Sequence, residues 1–241
     1  MITALIIGYG SIGKRHANLL EKFPNVSNIV ILTSQNIKKY ETISSLKQIK
    51  KINPNYIVIA SPTSMHYRHL KYCVENFSNK TILVEKPLYN NYKNLNIKKN
   101  KVYIGFNLRF HPVIQKLRKE INNKKIFNLY IQNSSYLPDW RVGRNYINTS
   151  SAKRTSGGGV RLDISHELDF IYYLFGNYRI NYAYNSTISD LKIDTDDILI
   201  MKGEIKKRLN KKISILLNLN FFSKIKKRLI FIDGPNISIY A

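Results

Sequence analysis

The feature that most constrains the fold is a Gly-x-Gly-x-x-Gly segment directly after a short apolar run at the start of the chain. Residues 4–8 have the composition of a buried β-strand, and a helical pattern follows the glycines. Such a turn brings a pyrophosphate close to the backbone, and the amides that open the helix favour its oxygens. The segment predicts a dinucleotide site with contacts from Gly8, Gly10, Ser11, Ile12 and Gly13.

The first hundred residues alternate short β-rich runs with helical patterns, which is typical of parallel βαβ units. Between residues 65 and 77, apolar side chains recur at the spacing of a helix that packs one face on a sheet, at Leu70, Cys73, Val74 and Phe77. We therefore expect an α/β Rossmann domain over residues 1–108, with strands at residues 4–8, 28–33, 56–60, 81–84 and 102–106.

The pattern changes in the second half of the chain. Residues 213–221 alternate apolar and polar side chains at a period of two, which indicates a half-exposed antiparallel strand. Two short basic runs, residues 206–208 and 224–228, are interpreted as solvated turns. We expect an α+β domain with a mainly antiparallel open sheet over residues 109–241, short at its C-terminus, with further strands at residues 127–136, 182–188, 198–204, 228–233 and 237–240.

The composition limits the cellular setting and the partners. Among 241 residues there is one cysteine, Cys73, which fits a reducing compartment, and no apolar run reaches the ~20 residues that span a bilayer. We expect a cytoplasmic protein without a membrane partner. The net charge of +24 raises nucleic acid as a partner, but the basic residues are scattered and form no arginine-rich arm, so charge alone does not favour that interpretation.

The end of the second predicted strand bears on the choice of cofactor. An acidic side chain about 20 residues past the glycines holds the ribose 2′-hydroxyl of NAD in such domains, but Thr33 and Ser34 stand here. These hydroxyls, with Lys38 and Lys39 nearby, suit a 2′-phosphate, and Arg15 is a further candidate to stack on adenine or pair with phosphate. The sequence therefore favours NADP(H) over NAD(H).

Three segments follow predicted strands where a doubly wound sheet binds ligands: residues 61–66, 85–87 and 105–110. Together with the glycine turn and the glycine-rich residues 157–169, they resemble the Gfo/Idh/MocA family of sugar and cyclitol dehydrogenases. Residues 136–141 and 165–169 are similar to members associated with surface-glycan synthesis. The resemblance implies a sugar-type substrate, and the strand-end positions predict cofactor contacts from Ser61, Pro62, His66, Glu85 and Lys86. We also expect a homo-oligomer, because an open half-polar sheet needs cover.

By this resemblance, Lys86 contacts the reacting oxygen, Asp163 positions the substrate and His166 transfers the proton. A cis bond between Lys86 and Pro87 is also implied. If residues 164–175 form one helix, its buried stripe is Ile164, Leu168, Ile171 and Phe175, and His166 lies off that stripe. The alternative for His166 is a structural histidine, for His66 a role in helix-end hydrogen bonding, and for Lys86 a surface lysine.

One departure from the family pattern concerns Asp163. The family usually has four residues from aspartate to histidine, but Asp163 precedes His166 by three, so the counterpart of the family's aspartate is open. His66 and His69 lack a third ligand nearby, and we expect no metal. Aromatic and guanidinium groups suggest a sugar or anionic-sugar site, with candidates Arg109, Trp140, Arg141 and Tyr146. The rival interpretations are a catalytically inactive cofactor-binding protein and a basic nucleic-acid-binding module.

Overall fold

The computed structural model describes residues 1–206 and 212–241. The chain divides into two compact units, Met1–Gly105 and Phe106–Ala241. The boundary expected after residue 108 lies three residues beyond this division. Each unit has its own six-stranded sheet and its own apolar core.

The first unit is a parallel α/β sheet with the strand order β3-β2-β1-β4-β5-β6, the order of a doubly wound dinucleotide-binding fold. Its strands are β1 (Ile2–Ile7), β2 (Val26–Leu32), β3 (Glu41–Ile43), β4 (Tyr56–Ile59), β5 (Thr81–Val84) and β6 (Lys101–Ile104), and its helices are α1 (Ser11–Leu20), α2 (Ile49–Ile52) and α3 (Thr63–Asn76). The five predicted strands are confirmed. Strand β3 was not predicted, because three residues are too few to show a period of two.

The core of the first unit lies on both faces of this sheet. Leu5 and Ile7 contribute to one apolar cluster and Ile6 to the other, since successive strand residues point to opposite faces. On α3 the four apolar residues of the predicted stripe, Leu70, Cys73, Val74 and Phe77, are buried against the sheet or at the helix end. Burial raises the pKa of the Cys73 thiol to about 12.

The second unit is a mixed sheet covered by helices on one face. The strand order is β12-β11-β7-β10-β9-β8, and every neighbouring pair is antiparallel except β7 with β10. The expected α+β unit with a mainly antiparallel sheet is thus confirmed. Its strands are β7 (Asn128–Tyr136), β8 (Arg179–Ser186), β9 (Ile198–Lys206), β10 (Lys212–Asn220), β11 (Phe222–Gly234) and β12 (Ile237–Tyr240), and its helices are α4 (Pro112–Glu120), α5 (Val160–Asp163) and α6 (Ser165–Phe175).

The helices bury one face of this sheet and leave the other open. On β10, Ile213, Ile215, Leu217 and Leu219 join the core, as the alternating sequence predicts. The residues between them point to the opposite face. There, one lateral row crosses all six strands in register and consists of Tyr182, Lys202, Leu216, Tyr130, Phe231 and Tyr240.

The basic run at residues 224–228 is not a turn, as the sequence was taken to indicate, but part of the long strand β11. The lysines obscure the strand pattern in the sequence because most of the run lies in the irregular stretch of the pairing with β7, between Phe222 and Lys227. Of the other basic run, Lys207 and Arg208 lie outside the described residues. Within the described residues, no helix has the length and apolar character needed to cross a membrane.

Candidate functional site

The glycine turn between β1 and α1 has a different steric requirement at each glycine. Gly8 has φ +98°, and a Cβ there would lie 2.8 Å from the Ser61 backbone. A Cβ on Gly13 would lie 2.1 Å from the Gly8 carbonyl oxygen. At Gly10, in contrast, a Cβ would meet nothing within 4 Å. The first and third glycines are therefore required by the fold itself, whereas Gly10 borders open space at the start of α1.

This open space fits a pyrophosphate. Helix α1 begins at Ser11, its first turn holds no acidic residue, and Ser11 and Ile12 are both exposed. The first amides of a helix have no partner inside the helix, so they are available to phosphate oxygens. The residues of the turn thus fit the dinucleotide that the sequence predicts.

The side chains beyond β2 determine which groups could meet a 2′-phosphate. Thr33 is half-buried and its hydroxyl accepts the Gln35 amide at 3.1 Å, while Ser34 is exposed. Lys39 is engaged elsewhere, because its ammonium lies 2.6 Å from the Glu21 carboxylate, a pair that lowers the pKa of Glu21 and raises that of Lys39. Of the five candidates for a 2′-phosphate outside the turn, Arg15, Ser34 and Lys38 are exposed and form no ion pair within the described residues.

His66, which the sequence analysis placed among the cofactor contacts, is buried in the first unit. Its ring is 1% exposed, and its two nitrogens lie 2.9 Å from the carbonyl oxygens of Pro87 and Ser61. A neutral imidazole has one N–H, so it donates to one of these carbonyls at a time. Burial lowers the pKa of His66, and the two carbonyls oppose that shift. The ring therefore connects the loops after β4 and β5, which is closer to the structural alternative.

The Ser61 side chain also turns inward, since its hydroxyl lies 2.9 Å from Nδ1 of His69. Burial lowers the pKa of His69 to about 4, so this imidazole is neutral at pH 7. Pro62 is exposed at the start of α3. The described residues contain no group of three side chains that could hold a metal ion.

The loop after β5 holds the other candidates of the first unit. The Lys86–Pro87 bond is cis, as the resemblance implied. One carboxylate oxygen of Glu85 lies 2.7 Å from Nε2 of His16, as a hydrogen bond or an ion pair. The other oxygen of Glu85 lies so close to Gly105 that a Cβ there would be 3.1 Å away. The Glu85 carboxylate is therefore fixed against α1. His16 was not singled out from the sequence, although it stands three residues after the last glycine of the turn.

In the second unit, the three glycines at 157–159 seat the start of α5 in a narrow space. A Cβ on Gly158 would lie 2.2 Å from the Ser150 carbonyl, and one on Gly159, at φ +112°, would lie 2.3 Å from the Asp196 carboxylate. Asp196 in turn accepts the Arg161 amide at 2.8 Å. These contacts explain why no larger residue could stand there.

The single helix expected around His166 is in fact two helices. Helix α5 ends at Asp163 and α6 begins at Ser165, with Ile164 between them at φ −98° and ψ 33°. The helical phase between Ile164 and His166 therefore does not apply. Helix α6 also buries more than one stripe, because Glu167, Asp169 and Phe170 are buried as well as Ile171 and Phe175, whereas Leu168 is only partly buried.

His166 is half-buried between two aromatic rings of its own unit. Phe106 meets it edge-on, with centroids 5.7 Å apart, and Phe170 stacks on it at 6.3 Å. Neither phenylalanine was singled out for this role from the sequence. The two rings restrict the orientation of the imidazole plane. The ring nitrogens are the atoms of this side chain that can take part in proton transfer.

Helix α6 carries two buried carboxylates near His166 in sequence, Glu167 and Asp169. Asp169 is paired with Arg109 through two bonds, Nε to Oδ2 at 2.8 Å and Nη2 to Oδ1 at 2.5 Å. This bidentate pair raises the pKa of Arg109. Arg109 was expected to line the substrate site, but its guanidinium pairs with Asp169 and thereby fixes α6.

Some of the substrate candidates lie together and others do not. Asp163, Trp140 and Arg141 line one cavity of the second unit, with a volume of about 400 Å³. Tyr146 is separate from it, because the hydroxyl accepts the Lys192 amide at 3.0 Å and the ring packs on the core. The same cavity is lined by Lys224, Lys226 and Arg228, which sequence reasoning placed in a turn.

The comparisons with known proteins agree with this geometry. The parallel sheet and its glycine turn define the first unit as a dinucleotide-binding Rossmann domain. Residues 2–101 match the GFO_IDH_MocA family model, described as an oxidoreductase family with an NAD-binding Rossmann fold. Residues 2–101 are thus similar to the NAD-binding domain of that oxidoreductase family. No curated protein matches the sequence.

Solved structures share the fold over the whole chain. The WlbA dehydrogenase from Bordetella pertussis, in complex with NADH and UDP-GlcNAcA, is similar with a TM-score of 0.81 and 16% identity, over 99% of this chain and 77% of that one. For myo-inositol 2-dehydrogenase from Lactobacillus plantarum, the TM-score is 0.80 at 18% identity, over 100% and 76%. For scyllo-inositol dehydrogenase from Lactobacillus casei, with NAD(H) and scyllo-inositol bound, it is 0.76 at 14%, over 100% and 76%. At these low sequence identities, the similarity to the three structures shows that the fold is shared and nothing beyond it.

Proposed function

We propose that the protein is an NAD(P)-dependent oxidoreductase that transfers a hydride between nicotinamide and a hydroxyl or keto carbon of a sugar, amino sugar or nucleotide-sugar. The observation that carries this proposal is the glycine turn, with open space at Gly10 before the first amides of α1. The sugar and cyclitol ligands of the similar structures support the substrate class. Deuterium transfer from labelled cofactor, described at the end of the Discussion, tests it.

We further assign the enzyme to surface-polysaccharide synthesis in the cytoplasm. The first assignment rests on the resemblance of residues 136–141 and 165–169 to glycan-associated members and on the similarity to WlbA. The second rests on the free, buried thiol of Cys73, which suits a reducing compartment. Cell fractionation checks the location, and the surface glycan of a deletion strain checks the role.

In this proposal the first unit binds and orients the dinucleotide. The amides of Ser11 and Ile12 hold the pyrophosphate, with Gly10 giving it access to the backbone, and Ser61, Pro62 and Glu85 belong to the loops that border the nicotinamide half. When bound, the nicotinamide supplies the two-electron redox chemistry. The protein supplies orientation and the movement of the proton.

The proton step is assigned to His166. Oxidation of a carbinol requires that its hydroxyl proton be removed, and imidazole is the side chain best suited to exchange a proton near neutral pH. The Lys86 ammonium lowers the free-energy cost of negative charge on the same oxygen. Asp163 accepts a hydrogen bond from another substrate hydroxyl. In the direction of reduction, His166 returns the proton.

We predict that NADPH binds about tenfold more tightly than NADH, since a charge-assisted phosphate contact contributes on the order of one factor of ten. The support is the absence of a carboxylate at the end of β2. The nearest acidic strand residue, Glu41, is in register with Val30 and accepts from the Asn28 amide at 3.3 Å, toward the other end of the strand. Fluorescence titration with both cofactors measures the preference.

A charge placed at the end of β2 sharpens this test. Ser34→Asp should weaken NADPH binding roughly tenfold or more and affect NADH little, because the new carboxylate repels a 2′-phosphate. Ser27→Asp is the matched control, since Ser27 is exposed on the same strand near its opposite end. Equal affinities for the two cofactors in the unmodified protein would overturn the 2′-phosphate argument.

We also propose a homo-oligomer that forms through the open sheet face of the second unit. Phe231 packs at a tilt against Tyr130, with ring centroids 5.9 Å apart, and against Tyr240 at 4.8 Å, and Leu216 next to Tyr130 is 42% exposed. These four neighbouring side chains are exposed or partly exposed, and an apolar patch of this kind marks an interface more often than free surface. The patch agrees with the expectation that an open sheet face needs cover.

The oligomer is tested by introducing a charge into that patch. We expect Leu216→Lys to dissociate the assembly into monomers in sedimentation velocity, because a buried unpaired ammonium is costly at an interface. Phe23→Lys is the control, since Phe23 is an exposed apolar residue of the first unit, 56% exposed. A wild-type protein that sediments as a monomer at high concentration would contradict the proposal.

A further inference from the structure

The cavity of about 400 Å³ in the second unit has an unusual lining for a sugar site. It is bounded by β7, β11, the turn after β7 and the end of α5. Four of the lining side chains are cations and two are carboxylates, so the lining carries an excess of two positive charges. The cations are Arg141, Lys224, Lys226 and Arg228, and the carboxylates are Asp139 and Asp163.

Arg228 is fixed from beneath by a buried carboxylate. Its Nε donates to one carboxylate oxygen of Glu167 at 2.7 Å, its Nη2 lies 2.6 Å from the same oxygen, and Glu167 is 0% exposed. Asn133, which also lines the cavity, donates to that oxygen at 2.7 Å. A guanidinium has five N–H donors, so this pair leaves three of them for another acceptor. Arg228 is therefore a preorganised donor fork, 43% exposed.

The two lysines of β11 extend the same wall. Lys224 and Lys226 belong to the same strand as Arg228, and all three side chains line the cavity. The Lys224 ammonium lies 3.3 Å from the centroid of the Tyr136 ring, and this contact holds it at the cavity wall. Three cations thus follow one another along one strand edge of the cavity.

The buried carboxylate of Glu167, beneath the cavity, neutralises one of these two positive charges. A net excess of one positive charge remains around the cavity. Arginine and lysine donate hydrogen bonds but accept none, so a neutral sugar would satisfy them only through its hydroxyl oxygens. A neutral ligand that removes water from these cations costs free energy, because it does not replace the lost solvation. An anion offsets this cost through charge-assisted hydrogen bonds. The lining therefore suits a ligand with an acidic group.

Trp140 supplies the wall for the rest of such a ligand. Its indole Nε1 donates to the Ser135 hydroxyl at 2.9 Å, and its ring packs edge-on against Phe221 at 5.0 Å. The indole is thereby fixed, yet 39% of the residue stays exposed. A fixed aromatic surface beside a donor fork is suited to a sugar ring that carries an anion.

We propose that this cavity binds an acidic group of the substrate, a carboxylate or a phosphate on a sugar, through Arg228 and the lysines of β11. The proposal rests on the oxidoreductase function proposed above and narrows its substrate class to acidic sugars. Arg228 and Glu167 act as a pair, in which the buried carboxylate positions the guanidinium and the guanidinium contacts the ligand.

The test is isothermal titration of the full-length protein with three probes that differ in the acidic group: glucuronate, glucose 1-phosphate and glucose. We expect one or both anions to bind more tightly than glucose. In the double variant Lys224→Ala/Lys226→Ala, the affinity for that anion should fall roughly ten- to hundredfold, since hydrogen bonds to charged groups contribute most of the binding. A preference between glucuronate and glucose 1-phosphate identifies carboxylate or phosphate as the group.

Lys227→Ala is the matched control, because Lys227 is exposed, alternates with Lys226 on β11 and does not line the cavity. It should leave anion affinity unchanged apart from a small effect of net charge. If Lys227→Ala weakens binding as much as the double variant does, the anion is attracted only by the net positive charge of the protein, and the proposal is wrong.

Two further outcomes would also overturn it: anions that bind no better than glucose, or a double variant with wild-type affinity. Titration with NADPH, run on the same samples, separates this failure from that of the proposed function. Absent NADPH binding contradicts the oxidoreductase, whereas normal NADPH binding without anion binding contradicts only the acidic-sugar site. Arg228→Lys serves as a conservative check, because a lysine keeps the charge over Glu167 but removes the fork.

Discussion

Replacing His166 with alanine is expected to lower turnover by about 10²–10⁴-fold, the usual contribution of a positioned general acid or base. The fold and the cofactor affinity should change little. The imidazole is half-buried and packs on the rings of Phe106 and Phe170, and the glycine turn that is proposed to bind the dinucleotide belongs to the other unit. Steady-state kinetics on an accepted sugar measures the effect, and thermal melts measure stability.

Tyr172→Ala is the matched control for damage to α6. Tyr172 stands on the same helix, is 52% exposed and is not assigned a role, so its removal should leave turnover within a few-fold of wild type. A His166→Ala variant that keeps full activity, or loses it only by unfolding, would show that the histidine is structural.

The loss from Lys86→Ala should not add to that from His166→Ala. Both side chains are proposed to act on one oxygen, and residues that act as a unit are not additive. The double variant should therefore lose much less than the product of the two single losses. Strict multiplication of the losses would mean that the two residues contribute to different steps.

Alanine at Gly10 is expected to weaken cofactor binding strongly without disturbing the fold. Gly10 has φ −73° and ψ −169°, which alanine adopts freely, and a Cβ there meets no protein atom within 4 Å. The methyl group would occupy the space through which a pyrophosphate reaches the amides of α1. We expect the NADPH dissociation constant to rise roughly a hundredfold, as charge-assisted bonds to phosphate are lost.

Gly13→Ala supplies the contrast that makes this prediction specific. Its Cβ would lie 2.1 Å from the Gly8 carbonyl oxygen, so the turn itself must move and the melting temperature should fall together with affinity. Gly10→Ala should melt like the wild type. If Gly10→Ala binds NADPH normally, no pyrophosphate passes at that position and the cofactor site is elsewhere.

The sequence predicts the two sheets well because both signals are local. Runs of branched apolar residues mark the buried parallel strands of the first unit, and a period of two marks the half-exposed β10. Local signals are weak where tertiary contacts decide. The break at Ile164 depends on how α5 is seated against Asp196, and strand β3 is too short to show a pattern.

Site residues were harder to predict because their partners are remote in sequence. Arg109 looks like a free guanidinium until Asp169, sixty residues away, is seen to take both ends of its fork. His66 was expected from its position at a helix start to contact the cofactor, but its ring nitrogens lie next to the carbonyl oxygens of Ser61 and Pro87. Lys224 and Lys226 look like one more basic turn in a lysine-rich chain, and only the strand pairing places them at a cavity.

The most direct test of the central claim is hydride transfer itself. The protein is incubated with NADPH deuterated at the transferable C4 position and with a panel of keto sugars, and the products are analysed by mass spectrometry. We predict a sugar product that carries the deuterium in step with cofactor oxidation, and its loss in His166→Ala while NADPH still binds. Tight NADPH binding with no deuterium in any sugar, across acidic and neutral members of the panel, would contradict the account and indicate a cofactor-binding protein without turnover.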